Sequence, residues 1–266
     1  MNIHFKDKDL FEQLRKATLA QVEVGSQLYG LQDPNSDKDL LCIYFPFRNQ
    51  IFGFVQTHHQ LQFKDSEGHT DYLFVDIFTF VRNALSGDST INFEALHLPE
   101  LLQTPLDFLH HYRYYFYNYL IVKSYLGFAN RDLKQYWQQP TEREALKKYT
   151  HALRGYIFAR QLIDRPLLLN EPLLREKKIL FSTLDLSGKK EVLVNLQAEI
   201  DNFRKNIVNK AAEAGKLVRY MVPAHQQEIN NRLLKLSHTS QAHYALEETI
   251  DLSLLYNVNE NGVLYE

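Results

Sequence analysis

Residues 22–43, VEVGSQLYGLQDPNSDKDLLCI, decide how the chain reads: an apolar run ends at Gly25-Ser26, a spacer over 27–36 follows, and Asp37 and Asp39 open a second apolar run. Side chains two apart in a β-strand share a face, so Asp37 and Asp39 present two carboxylates side by side. Two bare carboxylates held that close repel, and one takes up a proton unless a hard cation joins them. Gly25 supplies the complementary chemistry, because a residue without Cβ lets the chain turn sharply out of a strand and lets the backbone approach a ligand. A short helix starting at Ser26 would aim free N–H groups and the serine hydroxyl at an anion. An anion cradle beside a cation site suits a nucleoside triphosphate with its magnesium ion.

Each feature alone has an ordinary explanation. Gly25-Ser26 reads equally as a strand-end turn, and Asp37 and Asp39 as the start of a strand after the turn Asp33-Pro34-Asn35-Ser36. Taken in order, the apolar residue, Gly-Ser, the spacer and Asp-x-Asp resemble the signature of the DNA polymerase beta superfamily of nucleotidyltransferases. Lys38 stands where many members of that superfamily carry an apolar residue, and it is expected to point away from the carboxylates.

Metal-assisted phosphoryl transfer usually needs a third carboxylate. The segment HTDYLFVDIFTFVRNALSGDSTINFEALHL offers Asp71 and Asp76. Their odd separation puts them on opposite faces of a regular strand, so at most one faces Asp37 and Asp39. The segment resembles the pattern of Asp, alternating strand, aromatic-bearing helix, Gly-Asn-Pro-Thr and Glu-Leu-Leu in a branch of predicted nucleotidyltransferases linked by genome context to RNA repair. In that resemblance Asp71 takes the acidic position, Phe80 the helix aromatic and Gly87-Asp88-Ser89-Thr90 the turn, with Asp88 and Ser89 departing from it. Asp71 is the preferred third ligand and Asp76 the alternative.

Further along, KSYLGFANRDLKQ (123–135) is similar to the branch's helix with Gly-Tyr/Phe-Ala and a basic tail, and KYTHALRGYIFARQLI to its Lys-x-x-x-His-x-x-Arg helix. Lys147, His151 and Arg154 fall at i, i+4 and i+7, one stripe of a helix. Such a stripe suits nucleotide phosphates or an acceptor strand. The competing reading is a solvated helix face paired with Glu142 or Glu144.

The resemblance implies transfer of a nucleoside monophosphate from a nucleoside triphosphate such as ATP to an acceptor hydroxyl, with pyrophosphate released. Asp37, Asp39 and Asp71 would be catalytic and hold two Mg2+ or Mn2+ ions. Gly25, Ser26, Lys147, His151 and Arg154 would bind the nucleotide. An RNA end is the first candidate acceptor, and a protein hydroxyl or a small molecule are the others. A toxin–antitoxin type enzyme that nucleotidylates a protein or tRNA would share the site, and so would a nucleotide-binding regulator without turnover.

Composition bounds these readings. The 266 residues suffice for one large or two ordinary domains, and a net charge of −2 leaves nucleic-acid contact to a local patch. The single cysteine, Cys42, lies in the apolar run LLCIYF and reads as a buried core thiol. No signal-peptide pattern or membrane-length apolar run is evident, so a cytoplasmic protein is expected.

Periodicity predicts a helix over 7–17, strands over 19–24, 38–46, 51–63 and 70–77, and helices over 78–86 and 89–97. Long helices are predicted over 105–137, 141–164, 188–215 and 224–237, with Pro140, Pro166, Pro172 and Pro223 as punctuation. The fold class is α+β: a small mixed-sheet nucleotidyltransferase core over 1–100, then a helical domain over 101–266 closing a substrate cleft. The tyrosine-rich run 110–120 reads as the buried face of a long helix, ahead of a base-stacking platform. His58-His59 and His110-His111 lack companions for a metal site. The mildly basic stretch from Lys189 to Arg219 reads as a solvated face.

Overall fold

Apolar residues at 40–44 run without alternation, as in a strand covered on both faces, and this segment is one of the two inner strands of a four-stranded sheet. The computed structural model describes residues 5–32, 37–52, 60–64, 69–164, 166–213, 217 and 221–248. Strands β1 (Thr18–Val24), β2 (Lys38–Tyr44), β3 (Gln60–Lys64) and β4 (Thr70–Asp76) lie in the order β1-β2-β4-β3. β2 and β4 are parallel, and the two outer pairings are antiparallel. Helix α1 (Phe5–Lys16) buries Leu10 and Leu14, and its Phe11 ring meets Phe63, Tyr72 and Phe74 edge-on.

The strand predicted over 51–63 is corrected. A short helix, α2 (Arg48–Phe52), follows β2, and among the described residues of that stretch Gln60–Lys64 is strand. Buried Gln50 explains the turn: its Oε1 accepts from Phe47 N at 3.0 Å and its Nε2 donates to Tyr44 Oη at 3.0 Å. His58-His59 and the turn at 33–36 lie outside the described residues.

β4 passes directly into α3 (Ile77–Ser86), because Asp76 Oδ1 caps it by accepting from Phe78 N and Thr79 N, each at 3.0 Å. α3 stops at Gly87, whose φ of 76° is left-handed, and α4 (Thr90–Ala95) starts at the cap Ser89, which accepts from Asn92 N. The Gly87–Thr90 turn is thus a C-cap followed at once by an N-cap.

The single helix predicted over 105–137 is also corrected. The chain forms α5 (Asp107–His111), a 3-10 turn over Arg113–Phe116, and α6 (Tyr119–Gln135). Asn118 breaks the run: it is extended and buried, its Oδ1 accepts from Leu120 N and Ile121 N, and its Nδ2 donates to the carbonyls of Leu85 and Phe116. The tyrosines around it serve packing, with Tyr115 stacked 3.6 Å from His225 and Tyr117 Oη accepting from Leu167 N. His110 Nδ1 pairs with the Leu96 carbonyl.

α7 (Glu142–Asp164) crosses α6 closely: a Cβ on Gly155 would lie 2.7 Å from the Tyr125 carbonyl oxygen. Then come α8 (Pro172–Thr183), α9 (Leu186–Phe203), a π-turn over Arg204–Val208, α10 (Asn209–Glu213), α11 (Pro223–Lys235) and α12 (Ser240–Glu247). Pro172 opens α8 instead of interrupting the chain, since proline fits a helix's first turn, where no N–H partner is needed. One hydrophobic cluster runs from Leu10 to Ala245, and Cys42 lies inside it with its thiol pushed up to about 12 by burial. Among the described residues no helix is long and apolar enough to cross a membrane.

Candidate active site

Sheet register sets three functional groups in a row. Asp39 on β2 pairs with Asp71 on β4, and Asp71 pairs with Lys64 on β3. Partners in register point to the same face, so the two carboxylates and the ammonium lie side by side at one end of the sheet. Asp37 stands one residue outside β2. Lys38 is paired with Glu23, 3.7 Å away, and leaves the carboxylate face to its neighbours.

Val24, the last residue of β1, pairs with Asp39, and the chain then turns through a 3-10 segment over Gly25–Gln27. Gly25 has φ +79°, and a Cβ built on it would stand 2.1 Å from Asp39 Oδ2. The backbone therefore lies directly against the carboxylate. No α-helix opens at Ser26, so an anion here would meet single N–H groups and a hydroxyl without a helix dipole behind them.

Of the two third-carboxylate candidates, only Asp71 stands beside Asp39. Asp76 pairs with Tyr44 at the opposite end of the same strands, roughly 16 Å along β4 from Asp71. It is buried as the cap of α3 and is not brought together with Asp37, Asp39 and Asp71.

The cluster carries like charges under strain. Burial raises the Asp39 carboxyl above its ordinary range, the charges of Asp71 and Asp37 raise it further, and Lys147 and Lys64 pull it back. Lys64 Nζ lies 3.0 Å from Asp71 Oδ1 and 4.0 Å from Asp37 Oδ2. The contact with Asp71 is a close ion pair, and Asp71 raises the Lys64 ammonium above its usual range. Three carboxylates are a donor set suited to a hard divalent cation. As they stand they do not converge: among the described residues no three His, Cys, Asp or Glu groups form a ready metal cage.

One residue of the α7 stripe bears directly on this cluster. Lys147 acts on Asp39. His151 Nδ1 is 3.5 Å from Asp132 Oδ2, and its ring is lowered from the usual histidine range by burial, which together with Arg154 and Lys147 outweighs Asp132. His151 is therefore neutral near pH 7, and the stripe is cationic only at its two ends. The stripe is not paired with Glu142 or Glu144, which engage Lys189 and Thr141 instead.

Arg154 lies over the Tyr29 ring at 4.1 Å, with its Nε buried and lacking a hydrogen-bond partner. Tyr29 and Tyr125 both donate to fully buried Glu94, the second at 2.8 Å. Burial raises both tyrosine hydroxyls well above their ordinary value, and Asp39 adds to the effect at Tyr29. Asp132, on α6, also receives Lys148 at 3.2 Å and Arg131 at 3.3 Å. Burial opposes its ionisation, but the hydrogen bonds from His151 and Lys148 and the nearby charges win and hold it at about 2.

Sequence reading missed Lys64, Glu94, Tyr29, Tyr125 and Asp132. Glu94 carried a usable signal, a charge inside the otherwise apolar run INFEALHL. A cavity of about 750 Å3 lies away from the carboxylates, between α7, α8 and α9, lined on α7 by Tyr149, Leu153, Tyr156 and Ile157. These residues lie on the helix face turned away from Lys147, His151 and Arg154.

A family model described as RlaP, RNA repair pathway DNA polymerase beta family, matches residues 7–248. Among solved structures the chain is similar to a nucleotidyltransferase-like protein from Exiguobacterium sibiricum 255-15, at 14% identity and a TM-score of 0.33, with 93% of this chain and 87% of that chain covered. No protein with a curated description matches it.

Proposed function

The chain belongs to the RNA repair pathway DNA polymerase beta family, and from that premise we propose that it transfers a nucleoside monophosphate from a nucleoside triphosphate, such as ATP, to an acceptor hydroxyl and releases pyrophosphate. The observation that carries this reading is Asp39 beside Asp71 on adjacent parallel strands, with the Gly25 backbone packed against Asp39 Oδ2.

Asp37, Asp39 and Asp71 would hold the divalent cations, two Mg2+ or Mn2+ ions in the scheme the family resemblance implies. Such ions, when bound, neutralise phosphate charge and stabilise the attacking and leaving oxygens. The chain's own groups do the positioning. Gly25 and Ser26 line the turn where the β- and γ-phosphates would lie, with backbone N–H groups and the serine hydroxyl as donors. Lys147 and Arg154 offer charge from α7. His151, neutral and with Nδ1 turned to Asp132, offers Nε2 as an uncharged acceptor for a hydroxyl of the substrate. Asp71, placed beside Asp39, is the carboxylate best situated to accept the acceptor's proton. The acceptor we favour is an RNA end, on the strength of the family's description.

Incubation with labelled nucleoside triphosphates, magnesium and mixed RNA or protein acceptors tests this. Label should move to RNA with the wild type and not with Asp37→Ala plus Asp39→Ala. Transfer that survives the double substitution would sink the mechanism. Label arriving on protein or tRNA would favour a toxin–antitoxin type enzyme. Triphosphate binding without transfer to any acceptor would favour a regulator.

A further inference from the structure

Lys64 sits where the candidate metal chemistry should be. It is the register partner of Asp71 on the outer strand β3, and its ammonium lies between Asp71, at 3.0 Å, and Asp37, at 4.0 Å. Asp71 is only 18% exposed, whereas the Lys64 side chain is 41% exposed and so free to swing outward. Three carboxylates converging without counter-charge would push one another apart. A lysine anchored in register on the neighbouring strand supplies that charge without any ion from solution. Its fit is uneven: Nζ closes on Asp71 at 3.0 Å but stands 4.0 Å from Asp37. An ammonium presents three N–H groups on one small centre and cannot serve several carboxylates as a coordinating divalent ion does. The present arrangement is a cluster held together but not converged into a metal cage.

We propose that Lys64 is a tethered counter-cation, occupying the space between Asp37 and Asp71 in the metal-free protein and leaving it when a divalent ion binds. The inference rests on the reading of Asp37, Asp39 and Asp71 as metal ligands. It makes metal loading an exchange of one cation for another, so that affinity for the first ion is set partly by what it costs to expel Lys64. The idle site stays folded without metal, and weak, non-productive occupancy by stray ions is suppressed until a triphosphate adds its own attraction for the ion.

The test is calorimetric titration of MnCl2 into the full chain without nucleotide, comparing wild type, Lys64→Met, Lys64→Arg and Asp71→Asn. Lys64→Met removes the charge and keeps the length, so it should bind Mn2+ about tenfold tighter or more, within the range over which groups supporting a metal site tune affinity. Lys64→Arg should stay near wild type, and Asp71→Asn should lose most binding. In chelator, Lys64→Met should melt below wild type and regain the difference on adding Mn2+. Equal Mn2+ affinity in wild type and Lys64→Met, with binding still dependent on Asp71, overturns the role of Lys64 and leaves the metal reading standing. Tightening of the same size in Lys64→Arg overturns it too, because the effect would then be steric. Absence of Mn2+ binding in every protein overturns both readings.

Discussion

At Gly25 the backbone is left-handed, and the space a side chain would need is filled by Asp39 Oδ2, 2.1 Å from the ideal Cβ. Alanine there meets two penalties. The left-handed conformation disfavours a residue with a Cβ by about 1–2 kcal/mol, and the methyl group must displace the carboxylate. Gly25→Ala is therefore expected to lose transfer by about 10–100-fold, the scale seen when the support of a metal ligand is removed, and to melt earlier in a thermal scan. Asp39→Asn should separate stability from function. Burial and the charges of Asp71 and Asp37 raise the Asp39 carboxyl in the folded state, so the folded protein holds that proton more tightly than the unfolded chain and loses stability as pH rises through the folded pKa. At neutral pH without metal, Asp39→Asn should melt above wild type while abolishing transfer. The gain should shrink as the pH is lowered through the carboxylate range, and a lower melting temperature at pH 7 would contradict the account. At this scale the sequence was informative about identity and poor about neighbours. Parity along one strand showed that Asp71 and Asp76 do not share a face, but which of them meets Asp39 depends on how β2 and β4 pair. Lys64 is equally invisible in sequence, since only the pairing of β3 with β4 brings it to Asp71.

Among the elements, those with regular periodicity were legible, and those decided by one side chain were not. β1 and β4 follow from alternation, β2 from its unbroken apolar run, and α7 from the 3.6-residue repeat. The break at Asn118 turns on a buried amide that satisfies four backbone groups at once, and no periodicity announces it. α8 was passed over because proline signals both interruption and initiation. α6 and α7 are joined by Asp132, which is 2% exposed and receives Lys148, Arg131 and His151. Its carboxyl is held at about 2 in the folded state, below the ordinary value, so its stabilising contribution is complete above the unfolded pKa and is lost as pH falls from about 4 toward about 2. Asp132→Asn should destabilise the protein by about 1–3 kcal/mol at neutral pH, the range for hydrogen bonds to a buried charge. Denaturant curves for wild type and variant should converge near the acid end of that window. His151 loses its orienting partner in the same variant, so a rise in the triphosphate KM should accompany the stability loss.

Across the whole molecule, the sheet and the helices meet at Glu94. This buried carboxylate comes from α4. Its hydroxyl donors come from the turn after β1 (Tyr29) and from α6 (Tyr125), and Arg154 of α7 lies over the Tyr29 ring. Tyr29 is also close enough to Asp39 to be affected by its charge. The network therefore ties the carboxylate end of the sheet to the helix that carries Lys147 and His151, inside a hydrophobic cluster shared by both regions. We expect these regions to unfold together, as one calorimetric transition and not two. Tyr125→Phe removes a donor from a buried charge and should cost about 1–3 kcal/mol, and Tyr29→Phe a similar amount. If Glu94 is the common acceptor, the two losses are not independent. With one tyrosine gone, the carboxylate can relax toward water or toward Arg154, and the second substitution should then cost less than it does alone. A double-mutant cycle by urea denaturation measures this directly. Strict additivity would mean that the hydroxyls stabilise separate elements. A clear coupling, together with a fall in transfer for Tyr29→Phe larger than for Tyr125→Phe, would mean that the helices set the position of the carboxylate site through Glu94.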